Sequence, residues 1–508
     1  MNREEILESI RTRSEPWDVV VIGGGATGAG CALDAASRGL SVLLLEQADF
    51  GKGTSSRSTK LIHGGVRYLE QGNVSLVREA LAERKLLLDI AADFVSPQPF
   101  IVPCFKRSEK LYYAAGLKIY DALSGKRSLG RTDTLTAKET IEALPGLDPE
   151  GLAGGVRYLD AQFDDARFLF AIVSTAEEKG AFALNYAKVE KIEPGTPVRL
   201  SFRDEPGSEL FEVDARAVIN AAGIFADQVE SLATGEPPSR IAYSQGIHLV
   251  FDPEFLPGPN ALMIPKTSDG RVLFAIPWLG QLLIGTTDTP VDEPKLEPSA
   301  IEGEIDFVLG TCRGYFRRAP VREDIRSVFA GIRPLVRRAR DRGTSRISRE
   351  HLVDVTSEGM VSVRGGKWTT YRTMAKDAVD SALEAAGLPA RTCLTEKIEI
   401  RDRARERADT LASGDPVLAE PVVPGFPYRK AEVVDAVRSG MALKLEDVLA
   451  RRTRLLFLDA RKSIEAAGPA AELMGDELGW SDERKEQEIN EFRSVAQNYV
   501  PDGRRDHS

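Results

Sequence analysis

The segment "WDVVVIGGGATGAGCALDAASRGLSVLLLE", residues 17 to 46, limits the fold of this chain more than any other. Asp18 to Ile22 is a short apolar, β-branched run of the kind found in strands buried on both faces. It breaks into glycines, continues through Ala29, Ala32, Ala35 and Ala36, stops near Gly39, and resumes as a second apolar run from Val42 to Leu45. Strand, crossover helix and strand form a βαβ unit, which predicts a parallel sheet. The glycines fall as Gly23-x-Gly25-x-x-Gly28, between the strand and the helix. Gly23 permits the tight turn, Gly25 lets backbone approach a pyrophosphate, and Gly28 lets helix pack on strand. The helix N-terminus adds amides and a partial positive charge. Glu46, at the end of the second strand, is placed to accept hydrogen bonds from a ribose. A dinucleotide site follows, though the motif alone does not say which dinucleotide.

The bulk numbers set outer limits. A chain of 508 residues is too long for one core, and about 150 residues per domain gives roughly three. A net charge of −10 argues against general nucleic-acid binding. Cys31, Cys104, Cys312 and Cys393 stand far apart, so neither a disulfide framework nor a metal site is expected. The opening "MNREEILESIRTRSEPW" has no apolar centre and does not read as a signal peptide. No apolar run is long enough to span a bilayer, so any membrane contact is expected at the surface.

Further along, residues 75 to 91 read as a helix, and 101 to 131 as an aromatic-apolar helix flanked by Lys and Arg. "ARAVINAAG" (215–223) is a buried strand running into a small-residue turn. "GIHLVF", "RVLFAIPW" and "QLLIGTTD", between about 241 and 290, predict an antiparallel sheet. After about residue 384 a Pro-rich connection leads into amphipathic helices, which read as a C-terminal helical domain.

One stretch has no period at all. "TSSRSTKLIHGGVRYLE" (54–70) crowds hydroxyls, cations, one of four histidines and a Gly-Gly pair together. A second concentration of charge, rich in arginine, runs from Arg322 to Arg349. Its centre, "RRARDRG", reads as a solvated charge run. Arg333 differs, because the apolar residues of "AGIRPLV" draw it inward, where an arginine is costly without an anionic partner.

These pieces carry a resemblance. "GTSSRSTKLIHGGVRYLE", "GIHLVF", "PWLGQLLIGTTDT", "GIRPLV", "VRGGKWTTYR" and "LEDVLARRTRLLFLDA" resemble, in the same order, FAD-dependent glycerol-3-phosphate dehydrogenases of the glycine and D-amino-acid oxidase superfamily. The likeness runs from about residue 17 to 500. It implies an α/β chain with a Rossmann-like FAD-binding domain, an antiparallel-sheet substrate domain and a C-terminal helical domain. The expected FAD-binding parts are 17–95, about 150–235 and 325–384. Residues 96–149 and 236–324 are expected to form the substrate domain, and 385–508 the helical domain.

By this resemblance Ser55, Ser56 and Lys60 offer donors to the cofactor, and Leu61 and His63 lie against its ring. Gly64 and Gly65 let backbone come close. Ala222 and Gly223 of "NAAG", and Gly366, Lys367 and Thr369 of "RGGKWTT", complete the cofactor site. Arg333 and Arg349 clamp a substrate phosphate, which suits planar bidentate guanidinium groups. Arg67, Tyr68 and Thr286 complete that pocket. Oxidising a secondary alcohol needs a base near neutrality, and His63 and His248 are both candidates, with Lys367 to stabilise developing charge.

The implied reaction takes sn-glycerol 3-phosphate to dihydroxyacetone phosphate and passes electrons to a membrane quinone; an oxidase making peroxide from oxygen is the alternative. The basic amphipathic piece at 105–131 fits an interfacial helix. A cytoplasmic enzyme held peripherally at the inner face of the cell membrane is therefore expected, with no nucleic-acid partner and a homodimer left open. Two features depart from the family pattern. Trp368 stands where Leu is more usual, and no calcium-binding loop follows the helical domain, which argues against the mitochondrial form.

Overall fold

The computed structural model describes residues 3–66, 69, 72–237, 240–336 and 351–501. Its first sheet has eight strands, and the strand Trp17–Ile22 lies near its centre. Parallel partners are Val42–Leu45 on one side and Glu209–Asn220 on the other, with Phe182–Leu184 and Val361–Gly365 beyond them. The helix Ala26–Ser37 is buried along almost its whole length, which small side chains allow. A Cβ on Gly30 would meet the Tyr371 ring at 2.9 Å, so this helix and Tyr371–Ala385 pack closely only because glycine stands there.

The second sheet has ten strands. Ile241–Phe251, Gln281–Gly285, Leu273–Trp278 and Ala261–Ile264 follow one another antiparallel, as alternation predicts. Three members differ from the expected domain ranges. Leu61–Ile62, Gly154–Phe163 and Ser327–Val336 fall within segments assigned to the cofactor domain, yet they pair in this sheet. The segment 101–131 is also not one helix. Residues Val95–Cys104 form a strand, and the helix spans Arg107–Ser124.

After residue 400 the chain is helical, with Arg403–Gly414, Lys430–Arg438, Ala460–Leu478 and Asp482–Gln497 around an apolar cluster that includes Val448, Leu456 and Met474. A buried charge network joins this unit to the first sheet. Arg451 donates to Asp49 (2.5 Å), Glu446 (2.7 Å) and Asp447 (2.7 Å), and Arg452 also reaches Asp49 (2.7 and 2.9 Å). Removing one member of such a network leaves uncompensated buried charge. Arg451→Leu is therefore expected to cost about 3–5 kcal/mol, read as a fall in the urea midpoint of the C-terminal unit. No helix among the described residues is long and apolar enough to cross a membrane.

Candidate active site

One cavity of about 760 Å³ runs along the carboxyl ends of the parallel strands and on to the second sheet. Crevices at that edge of such sheets are where these folds bind ligands. The turn after Trp17–Ile22 forms its floor. Gly23 has φ 107°, and a Cβ there would stand 2.6 Å from the Ala221 carbonyl oxygen. A Cβ on Gly28 would overlap the Gly23 carbonyl. Gly28 does not line the cavity; it holds the turn that does. Ser55 Oγ accepts from the Ala26 amide (2.9 Å), joining the loop to the helix start. Glu46 lines the cavity and accepts from the Gly24 (2.6 Å) and Ala48 (2.9 Å) amides. Burial pushes its pKa up, and those two amides oppose the shift.

Of the expected residues, the cavity wall brings together Gly23, Gly25, Glu46, Ser55, Leu61, His63, Ala222, Gly223, His248, Arg333, Gly366, Lys367 and Thr369. Gly65 (φ 77°) is not part of the wall. Arg67, Tyr68 and Arg349, with the "RRARDRG" run, lie outside the described residues. Two expectations are corrected. Lys60 takes a left-handed backbone step (φ 64°) that turns its ammonium away from the cavity, onto Asp165 (2.6 Å) and the Ser56 carbonyl (2.7 Å). Ser56 is buried behind the wall, and its carbonyl also accepts from Arg454 (2.8 Å). Neither lines the cavity.

Arg333 lies across Gly246, where a Cβ would stand 2.7 Å from its Nη1. Its Nη2 donates to Thr286 Oγ1 (3.1 Å), and Asp288 is 3.6 Å from Nη1. Thr286 thus braces Arg333 and does not itself line the cavity. His248 is almost wholly buried and stacks on Phe329 (4.9 Å between ring centres, 18°). Its Nε2 meets Thr59 Oγ1 at 3.0 Å, while Nδ1 has no hydrogen-bond partner among the described residues. Burial, then the charges of Lys60 and Arg333, hold its pKa well below 6.5. His63 is fixed through its backbone, whose amide donates to Thr369 Oγ1 (3.2 Å).

Sequence reasoning missed several members of the site. Arg57 ties the loop to the Ala330 carbonyl (3.1 Å) and Glu297 (2.8 Å), and Thr59 carries the contact to His248. Lys188 and Gln228 also line the cavity. Trp368 packs on Phe168 (5.5 Å) and donates to the Ser55 carbonyl (2.8 Å), so the departure from the family pattern is accommodated by a bond to the loop.

A glycine turn at a strand end, an acid at the next strand and a cavity of cofactor size define a dinucleotide-binding protein. Residues 18–372 match the model for FAD-dependent oxidoreductases, and 402–485 match the C-terminal domain of alpha-glycerophosphate oxidase. The chain is 37% identical to a probable mitochondrial glycerol-3-phosphate dehydrogenase of Caenorhabditis elegans and 38% identical to the mitochondrial glycerol-3-phosphate dehydrogenase of Bos taurus. Each match covers 97% of this chain and 74% of the relative. The glycerol-3-phosphate dehydrogenase of Bacillus halodurans, solved with FAD, superposes with a TM-score of 0.77 at 28% identity, over 98% of this chain and 97% of that one. The chain belongs to the FAD-dependent oxidoreductase family, in the branch of the glycerol-3-phosphate dehydrogenases.

FAD is its cofactor, and the residues fit it. Gly23 and Gly25 line the cavity at the helix start, where a Cβ would meet the Ala221 carbonyl oxygen (2.6 Å) or Ser55 Oγ (3.0 Å), and Gly366 has no space for a Cβ against the Met374 sulfur. The cradle is therefore backbone, as close approach to phosphate and a flat ring requires.

Proposed function

We propose that this chain oxidises sn-glycerol 3-phosphate to dihydroxyacetone phosphate and passes the electrons to a membrane quinone. The observation that carries the reading is Arg333, a cavity-lining guanidinium braced by Thr286 and set in the same cavity as the neutral imidazole of His248. The names of the relatives point to the same substrate. Arg333 binds the phosphate and so fixes the position of C2. His248 takes the C2 hydroxyl proton on an imidazole nitrogen as the carbonyl forms, and its buried, stacked ring allows little other motion. Bound FAD supplies the acceptor for the hydrogen and electron pair that leave C2. Lys367, also on the wall, offers positive charge to the same cavity.

Arg333→Ala is expected to lower kcat/KM for sn-glycerol 3-phosphate by about 10³-fold, the equivalent of about 4 kcal/mol for a lost buried charge contact. The flavin should stay bound. Unchanged turnover would mean that the phosphate is held elsewhere.

The oxidase alternative draws on the match of 402–485 to the C-terminal domain of alpha-glycerophosphate oxidase. Stoichiometric peroxide during turnover in air would establish it; quinone reduction without peroxide is expected. Membrane docking is supported by the helix Arg107–Ser124, where Leu111, Tyr112 and Ile119 are 74%, 60% and 54% exposed among Arg107, Lys110 and Lys118. Co-sedimentation with anionic vesicles is expected, and replacing Leu111 and Ile119 with Glu should abolish it.

A further inference from the structure

A cluster of charges behind the cavity wall has no part in the steps above. The side chains of Lys60, Asp165 and Arg454 are all fully shielded from solvent, and Arg454 comes from the C-terminal unit. Asp165 Oδ2 accepts from Lys60 Nζ (2.6 Å), Ser58 Oγ (2.7 Å) and the Ser58 amide (3.1 Å), while Oδ1 accepts from Arg454 Nη2 (3.0 Å). Lys60 and Arg454 share the Ser56 carbonyl, and Asp164 stands 3.6 Å from Arg454 Nε. Two carboxylates thus face two cations. Around them stand aromatic rings: Lys60 Nζ is 5.1 Å from the centres of Trp278 and Phe329, and Arg454 lies 4.2 Å over Phe457. The same Phe329 stacks on His248, whose Nε2 is held by Thr59, the neighbour of Lys60.

An apolar filling of equal volume is often as stable as such buried charges, so the cluster is weak evidence for a role in stability alone. Their placement points to another role. The loop that lines the cavity through Ser55, Thr59 and Leu61 is tied from behind at Ser56, Ser58 and Lys60. We propose that Lys60 and Arg454 are positioning residues for His248: the C-terminal unit, through Arg454, fixes Asp165, and Asp165 holds the loop so that Thr59 orients the imidazole beside the Lys60 charge. The proposal rests on the reading of His248 as proton acceptor. Arg333, Lys367 and His63 share the cavity with His248, and Lys60, Asp165, Asp164 and Arg454 lie behind the wall. Burial lowers the Lys60 pKa to about 7 against the pull of Asp165, so its charge fades above neutral pH. Asp165 stays ionised: burial opposes this, but Lys60 and Arg454 outweigh it.

The test is histidine-labelled NMR of the holoenzyme, which is practical with four histidines in the chain. His248 is assigned by the signal lost in His248→Asn. Lys60→Met leaves Asp165 its bonds from Ser58 and Arg454 and places an apolar side chain among aromatic rings. In this variant the His248 midpoint is expected to rise by about one pH unit or more, and the acid limb of kcat/KM should move with it. Flavin content and KM should be unchanged. Arg454→Met should move the same midpoint, and Arg454→Lys should restore part of the shift. A folded, flavin-loaded Lys60→Met protein with an unmoved His248 signal would overturn the proposal; should Lys60→Met not fold, Lys60→Gln is read the same way. Failure of the wild-type enzyme to oxidise sn-glycerol 3-phosphate would sink the functional reading instead, and the NMR result would still stand or fall by itself.

Discussion

Gly28→Ala is expected to yield protein that no longer retains flavin. The added methyl would overlap the Gly23 carbonyl oxygen, a backbone atom that cannot turn aside as a side chain can. Gly23 is itself held by the hydrogen bond its amide donates to the Leu45 carbonyl (2.8 Å) and by contact with Ala221. The helix Ala26–Ser37 must then move off the strand, and the amides at its start move with it. Affinity that depends on those amides should fall by well over tenfold, about 1.4 kcal/mol or more. Flavin-to-protein absorbance after dialysis measures it. Gly116→Ala is the control: it lies in the helix Arg107–Ser124 with open space around the new methyl, and should retain flavin while gaining up to about 1 kcal/mol of helix stability.

His248→Ala should lower kcat by about 10³-fold with FAD and substrate still bound, the usual contribution of a placed general base being 10²–10⁴. His63→Ala keeps the backbone bond to Thr369 and tests the other candidate on the cavity wall: a loss as large as that of His248→Ala would make His63 the base. The sign of the pH dependence follows from the environment of His248. Burial, Lys60 and Arg333 hold its pKa well below 6.5, so the ring is unprotonated at pH 7, and the same surroundings make it a weaker base than a free imidazole. Rates should fall only as acid protonates it, well below pH 6.5. Stability moves the same way: below pH 6.5 the unfolded chain binds a proton that the folded state resists, so the folded state weakens as pH falls. An acid limb lying above 6.5 would show that a different group is the base.

What could be read from sequence was local. The βαβ unit announces itself because strand, glycine turn and helix adjoin, and Gly28 answers a contact within the unit, with the Gly23 carbonyl. Arg333 was legible because its apolar neighbours on the strand Ser327–Val336 carry it inward. The strand Val95–Cys104 was not, since Pro97, Pro99 and Pro103 argue against a strand. All three occupy alternate positions, so one edge keeps its amide donors and pairs with Gly154–Phe163. Lys60 was misread for a different reason. Spacing along "SSRSTKLIH" does not reveal one left-handed residue, and that residue reverses which side chains meet the cavity. Asp165 sits in a segment with no motif, Arg454 sits inside "LEDVLARRTRLLFLDA" where nothing marks it as a partner of the loop, and only folding brings both behind it.

The most direct test of the proposed function is anaerobic addition of sn-glycerol 3-phosphate to the FAD-loaded enzyme while its visible absorbance is followed. Bleaching of the flavin band by one equivalent, with dihydroxyacetone phosphate formed in equal amount and the colour restored by a quinone, is the expected result. A flavin band that stays unchanged under excess substrate, in protein shown to hold FAD, would contradict it.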